Sequence, residues 1–141
     1  MTYLLDTDMF TLAYYSKRGV RERIEIEQSL NTVAISIVTW AEVIRGRCNA
    51  ILKAADEKSL ISAQDGLRST EEYMKQFRIV PFDSNAGKEL VRLRKLKLPG
   101  KPGLADLMHA SVSHSQRATL VTRNTKDFAG IPGLKLENWA A

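Results

Sequence analysis

Short apolar runs alternate along this chain with longer segments in which apolar residues recur at helical spacing. This alternation constrains the fold most, because short strands separated by helices are typical of a mostly parallel sheet covered on both faces. We therefore predict one α/β domain over residues 1–141, with three layers (α/β/α) and five strands. The predicted strands are Tyr3–Asp6, Thr32–Ser36, Arg78–Phe82, Ala118–Thr122 and Lys135–Glu137.

Helical periodicity fills the segments between those strands. Gly46 is expected to end the third helix, and the long segment Asn49–Phe77 to form a helical hairpin that bends at Gln64-Asp65-Gly66. Asp83 or Ser84 is a suitable N-cap for the helix that follows the third strand. The other predicted helices are Met9–Lys17, Arg21–Leu30, Ile37–Arg45, Asn85–Leu98 and Ala105–Gln116.

Four acidic residues stand where this pattern predicts the end of a strand or the start of a helix: Asp6, Glu42, Asp106 and Asp127. Open α/β folds bind ligands at the carboxyl edge of the sheet, so we expect these acids to converge there. Clustered carboxylates repel one another unless a cation lies between them, and Mg²⁺ takes oxygen ligands from a few carboxylates. The residues therefore predict metal-assisted hydrolysis of a phosphodiester.

Three of these acids also have an ordinary structural interpretation. Asp6 is a suitable N-cap for the helix that follows it. Asp106 offsets the dipole at the start of its helix, although apolar neighbours argue against a freely solvated side chain. Asp127 fits an ordinary loop aspartate, and Thr122 and Asn124 in the same turn fit either turn residues or groups that orient a carboxylate.

Glu42 has two interpretations that depend on where its helix starts. If the helix starts after Thr39, Glu42 completes a capping box and is structural. If it starts after Ser36, Glu42 lies in the second turn on an apolar face, where a glutamate needs another role. We prefer the second start. His109, three residues after Asp106, shares a helix face with it and is interpreted as a packing or supporting residue.

The net positive charge of the chain favours a polyanionic partner. The formal net charge is +5, and basic surface attracts phosphate backbones. Each basic residue near the acids is either a phosphate contact or solvated surface charge, and these residues are Arg45, Arg47, Lys97, Lys101 and Arg123. The single Cys48, the absence of a signal peptide and the absence of a long apolar run predict a soluble, cytoplasmic protein with no membrane contact.

The order of the acids resembles a known family. LLDTD, AEVIRG, GLADLMHA and the closing TRNTKDF–IPGL–ENW string resemble the PIN-domain ribonucleases, especially the VapC-type toxins of type II toxin–antitoxin systems. The last of these strings is the most specific, and the segment from Cys48 to Gln76 carries no signature. No phosphate-binding glycine loop and no nucleophile motif points to another class of enzyme.

The resemblance implies a PIN-like fold and an endoribonuclease with a Mg²⁺ or Mn²⁺ site. Asp6 and Asp106 would be the metal ligands, Glu42 and Asp127 would complete the catalytic pocket, and Thr7, Thr122 and Asn124 would line it. It also implies a homodimer that cuts single-stranded RNA and is held inactive by a cognate antitoxin protein. Contact with DNA would then come only through that antitoxin.

Two other functions fit parts of the sequence. LLDTDMFT resembles the opening of haloacid dehalogenase-like phosphatases, with Asp6 as nucleophile and Asp8 as acid/base, but Phe10 breaks the motif, and Glu42 and Asp106 have no role. A receiver-like signalling domain would use Asp83 as phospho-acceptor, but the helical stretch between the second and third strands is too long for that fold. The metal-dependent nuclease accounts for more of the chain than either.

Overall fold

One sheet of five parallel strands organises the protein. The computed structural model describes residues 1–141, and it places the strands in the order β3-β2-β1-β4-β5 with every neighbouring pair parallel. All five predicted strands are present, most of them shortened by one or two residues at their ends. The strands are β1 (Thr2–Leu5), β2 (Thr32–Ser36), β3 (Arg78–Val80), β4 (Thr119–Val121) and β5 (Leu136–Glu137).

Seven helices cover the two faces of this sheet and complete the predicted α/β/α arrangement. Successive side chains of β1 point to opposite faces, as in any strand. Tyr3 and Leu5 therefore enter one apolar core, while Leu4 enters the other. The helices are α1 (Thr7–Tyr14), α2 (Val20–Gln28), α3 (Ile37–Leu52), α4 (Glu57–Met74), α5 (Ser84–Arg94), α6 (Leu104–Ser115) and α7 (Thr125–Phe128).

The predicted bend of the helical hairpin was wrong. Helix α3 runs through Gly46 to Leu52, and α4 starts at Glu57, so the chain turns at residues 53–56 and not at Gln64–Gly66. The sequence signal that was missed is Asp56, which forms a capping box with Ser59 and so marks the start of α4. Both glycines are helical, since packing of α3 against α4 outweighs the modest cost of glycine inside a helix.

A close approach positions the loop that precedes α6. A β-carbon added to Gly130 would lie 2.8 Å from Cγ and Cδ of Pro99, so only glycine allows this contact without a shift. In the same loop, Gly100 and Lys101 adopt left-handed conformations with φ of 77° and 46°. The loop before α6 is therefore held against the segment that follows α7.

No helix in the structure combines the length and the apolar character needed to cross a membrane. Cys48 is a free thiol. The two apolar cores supply the packing that holds the three layers together, since they comprise 16 and 11 buried residues.

Glycine replacements test the close contact between Gly130 and Pro99. Gly130→Ala is expected to lower the free energy of unfolding by about 1–3 kcal/mol, because the new methyl group overlaps Pro99. Gly66→Ala is the matched control, since nothing lies within 4 Å of its added β-carbon. In the helix interior this control should stabilise by about 0.5–1 kcal/mol. Urea unfolding at 25 °C measures both, and equal effects would contradict the close approach.

Candidate active site

The predicted acids stand on four separate elements. Asp6 directly follows β1 and caps α1, Glu42 lies in the second turn of α3, and Asp106 lies in the first turn of α6. Asp127 is in α7, a single-turn helix where the sequence had predicted a loop. The buried Phe128 packs into the second core and fixes that turn. β1 and β2 end where Asp6 and α3 begin, so two of the acids follow adjacent central strands at the carboxyl edge.

Asp6 is a buried carboxylate, with 6% of its surface exposed. Its Oδ1 accepts a hydrogen bond of 2.8 Å from the amide of Met9, so the capping interpretation is correct. Burial raises the pKa of Asp6, while hydrogen bonds from Thr122 and Met9 oppose that rise. The Thr122 hydroxyl also accepts the backbone amide of Asn124 at 3.0 Å. Thr122 therefore links Asp6 to the turn that precedes α7.

Glu42 is held by two side chains from other helices. The hydroxyl of Thr7 donates to its Oε1 at 2.6 Å, and Nε2 of His109 lies 3.2 Å from the same oxygen. Because a carboxylate only accepts hydrogen bonds, Nε2 of His109 carries the proton. The bond from His109 lowers the pKa of Glu42, with a further contribution from Thr7, and burial opposes both. Glu42 is therefore kept ionised.

The preferred start of this helix is confirmed. Ser36 is the N-cap of α3, and its hydroxyl accepts the amide of Thr39 at 3.2 Å. Thr39 is buried inside the first turn, and its hydroxyl donates to the carbonyl of Leu5 at 3.3 Å. Glu42 therefore forms no capping box and lies one turn further along, facing α1 and α6.

Asp106 is half-buried and close to other acids. Burial raises its pKa, and the charges of Asp127 and Glu42 raise it further, while His109 opposes the rise. Asp127 itself is exposed. Asp127 and Glu42 are therefore near enough to Asp106 to act on it electrostatically.

His109 is a supporting residue of the site, which is one of the two interpretations that the sequence allowed. It is 3% exposed, it bonds Glu42, and it lowers the pKa values of Glu42, Asp6 and Asp106. Its Nδ1 is buried without a hydrogen-bond partner. The spacing of three residues from Asp106 correctly predicted a shared helix face. The bond to Glu42 depends on how α3 and α6 cross, and no local pattern encodes that.

The other predicted side chains have mixed outcomes. Thr7 and Thr122 line the pocket through the bonds described above, whereas Asn124 contributes its backbone amide and its side chain makes no hydrogen bond. Asp8, which follows in the same LLDTD motif, lies outside this network. It pairs with Arg123, whose Nε lies 2.7 Å from its Oδ2.

The carboxylates of this site fit a hard cation that is bound by only a few protein ligands. None of the four acids forms an ion pair with lysine or arginine, and the one basic side chain that bonds any of them is His109, at Glu42. No three side chains among His, Cys, Asp and Glu are arranged to hold a metal ion between them. Carboxylate oxygens in this number suit Mg²⁺, which retains several waters when it binds to proteins.

The fold and the pocket together place the chain among three-layer α/β/α domains built around an acidic site at the sheet edge. Within that class, the model of the PIN domain family matches residues 3–134, and the chain belongs to that family. The resemblance seen in the sequence is thereby confirmed.

Named relatives agree with this membership. The chain is 30% identical over 148 residues to Ribonuclease VapC2 of Rickettsia felis, covering 99% of this chain and 98% of that protein. It is 29% identical to the tRNA(fMet)-specific endonuclease VapC of Shigella flexneri, with 99% of each covered. Within the PIN family the chain is thus of the VapC type.

Solved structures show the same fold. The crystal structure of VapBC2 from Rickettsia felis bound to a promoter DNA fragment matches with a TM-score of 0.81 and 29% identity, covering 99% of both chains. DNA-bound VapBC from Salmonella typhimurium matches with a TM-score of 0.79 and 25% identity, again over 99% of both chains. The parallel five-stranded architecture is therefore shared along the whole chain.

Replacements of Asp6 separate its two roles. Asp6→Asn keeps an acceptor for the Met9 amide but removes the buried charge, so it should stabilise the protein at pH 7 in EDTA. Because burial raises the folded-state pKa of Asp6, this gain should shrink as the pH falls through that pKa and vanish below the unfolded value. Asp6→Ala also loses the cap and should cost about 1 kcal/mol relative to Asp6→Asn. Thermal unfolding across pH measures both, and a destabilised Asp6→Asn at pH 7 would contradict the buried-charge cost.

A second replacement tests the support of Glu42. Thr7→Val removes the hydroxyl donor, so the pKa of Glu42 should rise toward its ordinary value. Glu42 then stabilises the fold less at neutral pH, by about 1 kcal/mol, and this difference should disappear as the pH falls through the folded-state pKa. Thr7→Ser retains the hydroxyl and is the control. NMR titration of the Glu42 carboxyl reads the pKa directly, and identical titrations for Val and Ser variants would rule the bond out.

Proposed function

We propose that this VapC-type protein is a metal-dependent endoribonuclease that acts as the toxin of a toxin–antitoxin pair. The observation that carries the proposal is the group of acids without lysine or arginine partners at the carboxyl edge of the sheet. Ionised carboxylates that repel one another there are costly for the fold, and they are explained if they hold a cation and act on a substrate. The names of the similar ribonucleases support RNA as that substrate.

Each acid has a proposed role. Asp6 and Asp106 are the metal ligands, since burial raises the pKa values of both carboxyls and a bound cation would offset that rise by favouring the charged form. Glu42, kept ionised by His109 and Thr7, accepts a proton from the attacking water. Asp127 is exposed beside Asp106 and completes the pocket.

Two hydroxyls position these acids. Thr122 orients Asp6 and Thr7 orients Glu42, while Asn124 holds Thr122 through its backbone. A bound Mg²⁺ or Mn²⁺ supplies Lewis-acid stabilisation of the phosphoryl group and lowers the pKa of water, which the side chains alone cannot do. The contribution of the chain is to place a proton acceptor and fixed ligands around the scissile phosphate.

Protein and nucleic-acid partners follow from the same relatives. The matched structures are VapBC assemblies, two of them bound to DNA, so we propose that an antitoxin protein inhibits this chain and supplies any DNA contact. A groove of about 640 Å³ beside Glu42 offers that partner an apolar surface, with Ile37, Leu104 and Met108 among its lining residues. The homodimer implied by the family stays a prediction.

The two alternative functions gain no support. Asp8, the acid/base of the phosphatase interpretation, is paired with Arg123. Asp83, the acceptor of the receiver interpretation, caps α5 and accepts the amide of Ala86 at 2.9 Å. Membership of the PIN family accounts for the whole chain without either.

The decisive experiment is cleavage of RNA by purified, partner-free protein. Initiator tRNA is the first substrate to try, since two of the similar proteins are named as tRNA(fMet)-specific. Cleavage should require Mg²⁺ or Mn²⁺ and stop in EDTA. Asp106→Asn should lower kcat/KM by about 100-fold or more and weaken Mn²⁺ binding measured by isothermal titration calorimetry.

Controls make this result specific. Asp65→Asn removes an exposed, unpaired carboxylate from α4 and should cleave like the wild type. Addition of the antitoxin should suppress cleavage by both. Cleavage that survives EDTA, or that Asp106→Asn retains in full, would refute the proposed site. No cleavage of initiator tRNA together with cleavage of other RNA would correct the substrate and leave the site in place.

A further inference from the structure

A groove with a basic rim lies between the end of α5 and the start of α6. Its volume is about 470 Å³, and its apolar floor includes Leu93, Leu98 and Leu107. Its three charged lining residues are all cationic: Arg94, Lys97 and Lys101. We call these three residues and the floor beneath them the basic groove. A surface of this kind suits a ligand that carries negative charge along with some apolar area.

The cations of the basic groove have no partner in the chain. Arg94, Lys97 and Lys101 take part in none of the seven ion pairs, and their side chains make no hydrogen bond. Two other basic residues near the acids are engaged, since Arg123 pairs with Asp8 and Arg47 donates to Thr70 at 2.8 Å. Arg45, which lines the apolar groove beside Glu42, is unpaired as well. The basic groove differs from these single positions because it brings three unpaired cations together in one concavity.

The basic groove and the acidic site share the first turn of α6, where Leu107 of the groove directly follows Asp106. Lys101 lies in the loop that the Pro99–Gly130 contact holds against the segment after α7, the helix of Asp127. Residues of the groove therefore neighbour the segments that carry two of the acids.

We propose that the basic groove binds the sugar–phosphate backbone of the single-stranded RNA that flanks the bond cut in the acidic pocket. This inference rests on the proposed function and adds how the substrate is held. Three unpaired cations suit successive phosphates, and contacts to phosphates carry no sequence information directly. Binding there is therefore expected to be independent of sequence and sensitive to salt.

The test is RNA binding in EDTA, where no cleavage interferes. The probe is a fluorescein-labelled single-stranded RNA of 12 nucleotides, followed by anisotropy between 50 and 300 mM KCl. The groove variant carries Arg94→Gln, Lys97→Gln and Lys101→Gln. The control variant carries Lys53→Gln, Lys58→Gln and Arg68→Gln, which removes the same charge from exposed, unpaired positions around the α3–α4 turn and on α4. Circular dichroism confirms that both variants fold.

The groove variant should bind on the order of 10- to 100-fold more weakly than wild type at 100 mM KCl. The slope of log K against log salt should fall by about 2, because each phosphate contact to a single strand contributes about 0.7. The control variant should change affinity less than about threefold, with little change of slope.

Several outcomes would overturn the inference. Wild-type affinity in the groove variant, or equal losses in both variants, would show that the groove is not the RNA site. If the groove variant bound RNA normally and lost only its affinity for the antitoxin, the groove would be a protein-docking surface. If wild type bound no RNA, the groove inference would fail, and the cleavage assay would decide the nuclease separately.

Discussion

The acidic site at the sheet edge depends on the hydrogen bonds that hold the buried carboxylate of Asp6. It stands where the central strand β1 stops, and its burial is costly because a charged group has left water. The fold offsets part of this cost with the amide of Met9 and the hydroxyl of Thr122. The first bond starts α1 and the second joins β1 to the turn before α7. One side chain thus connects β1, α1 and the turn before α7.

The other acids are arranged by the same balance. Glu42 receives hydrogen bonds from α1 and α6, which tie the helix behind β2 to the helices on either side. Asp106 and Asp127 receive no comparable support from a cation of the chain. The pocket is therefore pre-formed yet electrostatically incomplete. If the proposed Mg²⁺ or Mn²⁺ binds there, its binding and the stability of the site are linked.

The sequence predicted what local patterns encode and failed where distant contacts decide. Alternation gave all five strands, and the preference for Ser36 as N-cap was correct because that choice depends on neighbouring residues. The bend of the α3–α4 hairpin was misplaced because glycine is a weak stop signal inside two helices that pack on each other. The bonds His109–Glu42 and Arg123–Asp8 join residues 67 and 115 positions apart. Local sequence periodicity cannot predict contacts between residues so far apart in the chain.

Charge explains why an acidic pocket and a basic groove should share one turn of a helix. A phosphodiester that approaches several carboxylates is repelled, and a bound cation removes this repulsion only at the scissile group. The flanking phosphates still carry charge, and the chain must hold them with cations of its own. Arg123 is not available to bind the flanking phosphates, because it pairs with Asp8. The unpaired cations of the basic groove, at the end of α5 and in the loop before α6, are the groups proposed for that contact. In this proposal the acids act on the scissile group through a bound cation, and the groove holds the phosphates that flank it.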